Sequence, residues 1–118
     1  MLLYYPMCLT HTPLVTTPDE PDINDEESKF KAMVRYMDKL IGRLITALEE
    51  HKLGDKTIIF FTTDNGTMHR QTGIRNGHDV RGAKAQLREA GTSMPFIVSG
   101  PDLIPEGLVT QALTDFTN

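Results

Sequence analysis

An unbroken apolar run leads into a polar turn at residues 58–66, IIFFTTDNG. Its four apolar residues do not alternate with polar ones, and this pattern predicts a strand over Thr57–Thr63 that is buried on both faces, as in a parallel sheet. The strand ends on the pair Asp64 and Asn65. A carboxylate beside a carboxamide at this position indicates either a turn or half of a cation site.

The segments around this strand predict an open α/β fold. Apolar residues recur at helical spacing over Ser28–Lys52, with Asn24 or Asp25 available to cap the start of a helix. Short apolar runs at Leu2–Tyr5 and at residues 95–99 predict two more strands. Strand, long loop, helix and strand form a βαβ unit with a right-handed crossover by default. The prediction is therefore a βαβ unit plus a further strand, in one domain.

The charge and the apolar content of the chain bear on whether it binds nucleic acid or a membrane. The formal net charge is −4, from 12 Lys and Arg against 16 Asp and Glu, so the chain has no electrostatic footprint for nucleic acid. No apolar stretch has the length of a transmembrane helix, and no run rich in Lys and Arg indicates a membrane surface. The single Cys8 cannot form an internal disulfide. We therefore expect neither a nucleic-acid nor a membrane partner.

Polar residues follow two of the predicted strands, at the end of an α/β sheet where ligands bind. They are THTP at residues 10–13 and the pair Asp64 and Asn65. Aspartate and asparagine oxygens suit calcium or magnesium, and calcium takes about six or more oxygen ligands. Asn-Gly also favours a type I′ hairpin turn, although no alternating strand follows it here. On pattern alone, the turn and the cation site both remain open.

An ordered set of motifs resembles the sulfatase family, the arylsulfatase-like branch of the alkaline-phosphatase superfamily. Members carry a strand ending in Ser/Thr-Asp-Asn-Gly, then Arg-Gly-x-Lys, Glu-x-Gly and x-Pro-Phe-Ile-Val. The chain has FFTTDNG followed by VRGAKAQLREAGTSMPFIVSGP at Val80–Pro101. The start, LLYYPMCLTHTPL, is similar to the family's His-x-Pro loop, and residues 31–62 are similar to its helix and following strand. The resemblance covers nearly the whole chain and implies part of an alkaline-phosphatase-like sheet with packed helices.

Carried over by position, the resemblance implies roles for four residues. Asp64 and Asn65 would be metal ligands, usually for calcium, with magnesium as an alternative. Lys84 would contact the substrate sulfate, and His11 would hydrogen-bond or donate a proton near the ester oxygens. Without the resemblance, Lys84 would be a surface lysine and His11 a loop histidine in a turn with Pro13.

Other polar residues of the motif region are expected to be structural. Arg81 and Glu89 would pair or hold the loop, whereas His69 and His78 could face the substrate but are more simply exposed. Glycine is common in the family at three positions that here are Ala83, Ala85 and Ala90. An alanine there costs stability where its φ is positive, so we expect a reshaped loop.

Several elements of the family are missing from these 118 residues. Sulfatases use a formylglycine made within Cys/Ser-x-Pro/Ala-x-Arg, and Cys8, followed by LTHT, lacks both the proline and the arginine. The family's nucleophile segment and first metal-binding aspartates are expected upstream, and Leu108–Asn118 resembles the start of a helix that should continue. We therefore expect residues 1–118 to be the middle segment of a sulfatase catalytic domain, truncated at both ends and inactive alone.

The resemblance also implies a substrate class and a compartment. The parent enzyme would be a sulfuric ester hydrolase that acts on a small-molecule or glycan sulfate ester, in a periplasmic, extracellular or lysosomal-type compartment. One alternative is a phosphodiesterase or phosphonate-ester hydrolase of the same superfamily. Another is a non-catalytic, truncated remnant.

Overall fold

The computed structural model describes residues 2–115, and its main element is one long helix, α1, over Glu26–Glu50. The helix begins and ends two residues earlier than the predicted Ser28–Lys52. The Asp25 side chain caps its start by accepting a hydrogen bond from the Ser28 backbone N–H at 2.8 Å. This hydrogen bond lowers the pKa of Asp25, because it stabilises the carboxylate form. The predicted helix and cap are confirmed.

The C-terminal end of α1 closes without a glycine. Lys52 has a left-handed backbone with φ of 56°, and the Leu53 N–H donates to the Leu48 carbonyl at 2.8 Å. These features form a Schellman motif, which satisfies carbonyls left free at the helix end. A 3₁₀ turn over Gly54–Lys56 then leads the chain toward the first strand.

Two antiparallel two-stranded sheets complete the fold. In one, β1 (Ile59–Thr62) pairs with β4 (Phe96–Ser99). In the other, β2 (Thr72–Arg75) pairs with β3 (His78–Arg81). A single-turn helix, α2 (Glu89–Thr92), precedes β4. The α/β class predicted from the sequence is confirmed.

A β-hairpin lies in the long connection for which the sequence showed no clear period. Asn76 and Gly77 join β2 to β3 with φ values of 52° and 77°, and positive φ at both central residues is the signature of a type I′ turn. The chain contains two Asn-Gly pairs, and this one, Asn76-Gly77, forms the hairpin turn that the pair favours. Asn65, by contrast, lies in a bend that does not connect two paired neighbouring strands. The simple hairpin interpretation of DNG is therefore wrong.

The predicted βαβ unit is wrong in two respects. Leu2–Tyr5 belongs to no strand, and its side chains are all exposed. The partner of β1 is β4, and the two run antiparallel instead of parallel. Along β1, half-buried residues alternate with exposed ones, and Phe60 is 63% exposed. A two-stranded sheet lacks the layers that cover both faces of a parallel sheet, so the apolar run buries only one side.

The core is small and its apolar faces are only partly covered. Among residues 2–115, the buried apolar side chains are those of Ala32, Met33 and Ala83. The apolar residues that recur at helical spacing along α1 are mostly half-buried beyond Met33, and Ile45 is 40% exposed. On the exposed side of the β1–β4 sheet, the rings of Phe60 and Phe96 stack with centroids 6.2 Å apart. We expect such open apolar faces to make the chain only marginally stable.

Two further findings concern the chain's helices. Residues 108–115 form no helix or strand, so the expected helix over Leu108–Asn118 is not found in its described part; residues 116–118 lie outside the described residues. Within residues 2–115, neither helix combines the length and the apolar character that crossing a membrane requires.

Candidate functional site

Close backbone packing joins the DNG segment to the EAG segment. The Gly66 N–H donates to the Gly91 carbonyl at 3.0 Å. A Cβ atom at Gly66 would lie 2.2 Å from the Ala90 carbonyl oxygen, and one at Gly91 would lie 2.3 Å from the Ala83 carbonyl oxygen. Because side-chain carbons do not approach backbone this closely, both positions require glycine.

The RGAK segment is attached to the same loop. The Lys84 N–H donates to the Thr67 carbonyl at 2.9 Å, and the Gly82 N–H donates to the Gln71 carbonyl at 2.9 Å. A Cβ atom at Gly82 would lie 2.1 Å from the Met68 carbonyl oxygen. The fold therefore brings together three motifs that are not contiguous in sequence, and the backbone N–H of Lys84 binds the loop that begins at DNG.

Asp64 and Asn65 follow β1 after one intervening residue, Thr63, at the edge of this packed backbone. Asp64 is exposed and Asn65 is half-buried. The Thr63 hydroxyl donates to the Asn65 carbonyl at 3.1 Å, which fixes the bend. Within residues 2–115, neither the Asp64 carboxylate nor the Lys84 ammonium has a hydrogen bond or an ion pair. An anionic and a cationic side chain are thus both available to ligands on adjoining segments.

The side-chain oxygens of Asp64 and Asn65 are of the type that binds a hard divalent cation, but there are too few of them to complete its coordination shell. Carboxylate and amide oxygens from Asp64 and Asn65 are the ligand types that calcium and magnesium prefer. Across the described residues, however, no group of three or more His, Cys, Asp or Glu side chains could hold a metal ion. Calcium needs about six or more oxygens, so this pair could form only part of a coordination shell.

His11 lies in an exposed loop apart from these contacts. Its ring Nδ1 donates to the adjacent Thr12 carbonyl at 2.7 Å. Further along, this loop is attached to α1 by an ion pair of 2.6 Å between Glu20 and Arg35. The Arg35 hydrogen bond lowers the pKa of Glu20 and raises that of Arg35. No hydrogen bond or ion pair in the described part of the chain joins His11 to Lys84.

Arg81 and Glu89 have the structural contacts expected of them. The Arg81 Nε donates to the His69 carbonyl at 2.7 Å and holds the loop before β2. Glu89 pairs with Arg75 at 3.3 Å, which ties α2 to the hairpin. His69 and His78 are both exposed, as the sequence predicted.

One of the three alanines at family glycine positions has a strained backbone. Ala85 has φ of 67°, in the left-handed region that favours glycine. Ala83 and Ala90 do not have positive φ. The expectation that alanine carries a cost in this loop therefore applies to Ala85.

A cleft of about 830 Å³, which the sequence pattern did not predict, lies between the β2–β3 hairpin and residues 82–90. Arg75 and His78 line it from the hairpin, and Arg88 and Glu89 line it from the opposite side. The sequence feature that could have indicated this cleft is Asn76-Gly77, because a hairpin turn there places residues 75 and 78 opposite each other.

The sulfatase family model matches residues 10–118. The chain belongs to the sulfatase family. It is 29% identical to an arylsulfatase of Hemicentrotus pulcherrimus over 115 residues, which are 95% of this chain and 20% of that protein. It is 32% identical to arylsulfatase D of Homo sapiens over 114 residues, 92% of this chain and 19% of the relative.

A bacterial relative aligns over a shorter stretch. An N-acetylgalactosamine-6-O-sulfatase of Bacteroides thetaiotaomicron is 38% identical over 79 residues, which cover 58% of this chain and 16% of that protein. The chain spans about a fifth of the length of these curated relatives. No solved structure shows a significant match to it.

Proposed function

We propose that the chain supplies part of the divalent-metal and sulfate-binding site of a sulfuric ester hydrolase. In this proposal Asp64 and Asn65 provide oxygen ligands for calcium, or alternatively magnesium. Lys84 binds the non-bridging oxygens of the ester sulfate. His11 hydrogen-bonds or transfers a proton near the ester oxygens. The parent enzyme would act on a small-molecule or glycan sulfate ester, in a periplasmic, extracellular or lysosomal-type compartment.

The observation that carries the proposal is that two oppositely charged side chains, without partners in the described part of the chain, lie on adjoining segments, whose backbones pack closely through glycines. The Asp64 carboxylate and the Lys84 ammonium have no partner within residues 2–115. Their segments are joined by the bond from Lys84 N–H to Thr67 and by the bond from Gly66 N–H to Gly91. Such an arrangement holds charged side chains ready for a ligand instead of neutralising them within the protein.

The chemistry of a sulfate ester suits these residue types. As the ester bond breaks, negative charge is stabilised by a cationic side chain at the sulfate oxygens, the role given to Lys84. A bound calcium ion would act as a Lewis acid on the same group. His11 has an imidazole ring, which can pass a proton to or from an ester oxygen. The formylglycine of the family has no motif in this chain, so the proposed role is to bind and orient.

The named relatives favour sulfate over phosphate chemistry. They are arylsulfatases and N-acetylgalactosamine-6-sulfatases. We therefore rank the phosphodiesterase or phosphonate-ester hydrolase alternative second among enzymes. A non-catalytic, truncated remnant is the alternative outside the enzymes, and the sulfate titration described next distinguishes it from the proposed role.

Sulfate binding at Lys84 tests the proposal without requiring turnover. The ¹⁵N-labelled chain is titrated with sodium sulfate at an ionic strength held constant with sodium chloride, and backbone amide shifts are followed by NMR. We expect saturable shifts at residues 64–67 and at Lys84. They should be lost in Lys84→Gln and retained in Lys56→Gln, a matched change of an exposed lysine in the 3₁₀ turn.

The outcomes separate the candidates. Loss of the shifts in Lys84→Gln alone supports a sulfate site on the RGAK segment. Equal shifts in both lysine variants, or none in the unmodified chain, would contradict the proposal and favour a non-catalytic remnant. Saturation by phosphate at tenfold lower concentration than by sulfate would favour the phosphoryl-transfer alternative.

A further inference from the structure

We infer that the cleft between the β2–β3 hairpin and residues 82–90, here the hairpin cleft, is a second anion-binding site that receives an additional acidic group of the substrate. The inference rests on the proposed function, because it places this site beside the sulfate site at Lys84. The preferred substrate class would then be a sulfate ester that carries a second sulfate or a carboxylate.

The charge of the lining favours an anion. Arg75, Arg81 and Arg88 face the cleft against two acids, Asp79 and Glu89. The lining therefore has an excess of positive charge, although the whole chain has a net charge of −4. A local reversal of the overall sign attracts anions to this place on the surface.

Once Arg75 is paired with Glu89, the charged groups left in the lining are Arg81, Arg88 and Asp79, so positive charge remains in excess. Glu89 is already engaged by Arg75 at 3.3 Å. Arg81 donates through Nε to a neutral carbonyl, that of His69, so its charge has no acidic partner there. Arg88 has no side-chain hydrogen bond or ion pair within residues 2–115. A guanidinium in this state offers the paired N–H groups that bind sulfate or carboxylate in bidentate fashion.

The size and wall chemistry of the cleft suit a polar ligand. Its volume of about 830 Å³ lies within the range of roughly 300–1,000 Å³ that is usual for small-molecule sites. The rings of His69 and His78 add N–H donors to the wall. All residues of β2 and β3 are exposed, so the cationic side chains of the hairpin are accessible to a ligand.

The hairpin cleft adjoins the proposed sulfate site along the backbone. Gly82 and Ala83 line it, and Lys84 is the next residue. On the other side, the lining includes Ala90, next to the Gly91 that binds Gly66. A substrate with its ester sulfate at Lys84 would therefore have the hairpin cleft as its neighbouring surface.

Inorganic sulfate tests the two sites separately in one NMR titration. Amides of residues 64–67 and 84 report the proposed sulfate site, whereas amides of residues 75–79 and 88 report the hairpin cleft. We expect both sets to shift. Arg88→Gln should weaken the cleft set by about two- to fivefold, as for an exposed ion pair, and leave the first set unchanged. Arg43→Gln, an exposed arginine on α1, is the matched control and should change neither.

A pair of ligands tests the link to substrate class. One disaccharide is compared in its monosulfated and disulfated forms. The disulfated form should bind about two- to fivefold more tightly, and Arg88→Gln should abolish that difference. Absence of cleft shifts with sulfate, an unchanged cleft set in Arg88→Gln, or equal affinity for both disaccharides would overturn the inference. If sulfate shifts the cleft amides but not those of residues 64–67 and 84, the proposed function would be overturned instead.

Discussion

Gly82→Ala is the substitution that most directly tests the glycine packing of the site. Its Cβ atom would lie 2.1 Å from the Met68 carbonyl oxygen and 2.5 Å from that of Thr67, and real contacts stay beyond 3.0 Å. Both neighbours are backbone atoms, so the two segments must separate. This movement strains the bonds from Gly82 N–H to Gln71 and from Lys84 N–H to Thr67. Overpacking and weakened hydrogen bonds together should cost about 2–4 kcal/mol.

Urea denaturation and amide hydrogen exchange measure the effect of Gly82→Ala. We expect a lower unfolding midpoint and faster exchange at the Lys84 amide. Gly73→Ala is the matched control, because nothing lies within 4 Å of its Cβ position. That change should be neutral or should stabilise by about 0.4–1 kcal/mol, through a lower entropy of the unfolded chain. Equal midpoints for the two variants, or full protection of Lys84 in Gly82→Ala, would refute the packing argument.

Three further predictions address backbone strain, pH and turnover. Ala85→Gly should stabilise the chain by about 1 kcal/mol, because glycine adopts a φ of 67° without strain. Ala83→Gly should destabilise the chain in the same urea denaturation assay. Effects of the same sign in the two variants would contradict this prediction. The Arg35 hydrogen bond lowers the pKa of Glu20 below its ordinary 4.5, so the pair's stabilisation is present above that pH and is lost as pH falls through the lower folded value. The stability difference between the unmodified chain and Glu20→Gln should therefore shrink between pH 7 and pH 3, and a constant difference would argue against the ion pair. Finally, the purified chain should hydrolyse no p-nitrophenyl sulfate, since its sequence lacks the formylglycine motif; turnover above the buffer rate would be the contrary result.

Local signals in the sequence were sufficient for α1 and its cap. Apolar spacing and the capping side chain of Asp25 act within a few residues, so they determine the helix without reference to the rest of the fold. The strand at Thr57–Thr63 was located for the same reason. Its partner was not, because pairing depends on distant segments. Leu2–Tyr5 and the run at 95–99 carry similar local signals, and only the second forms a ladder with β1.

The sequence predicted which motifs make up the candidate site, but it did not predict how these motifs contact one another in space. The order of DNG, RGAK and EAG located Asp64, Asn65 and Lys84 in the sequence. The contacts that join these motifs arise where glycine lets one backbone touch another, and such contacts leave no periodic pattern. The hairpin cleft was missed because an all-exposed hairpin shows no apolar alternation, although Asn76-Gly77 carried its turn signal.

Manganese line broadening in NMR tests whether Asp64 and Asn65 form the cation side of the site. Mn²⁺ prefers the same oxygen ligands as calcium and broadens nearby amides even when it binds weakly. The amides of residues 64–67 and 84 should broaden at the lowest Mn²⁺ concentration and recover on addition of calcium. Asp64→Asn should abolish this broadening, and Asp55→Asn, at an exposed aspartate in the 3₁₀ turn, should not. Broadening centred on the acidic residues 22–27 and unchanged in Asp64→Asn would contradict the claim.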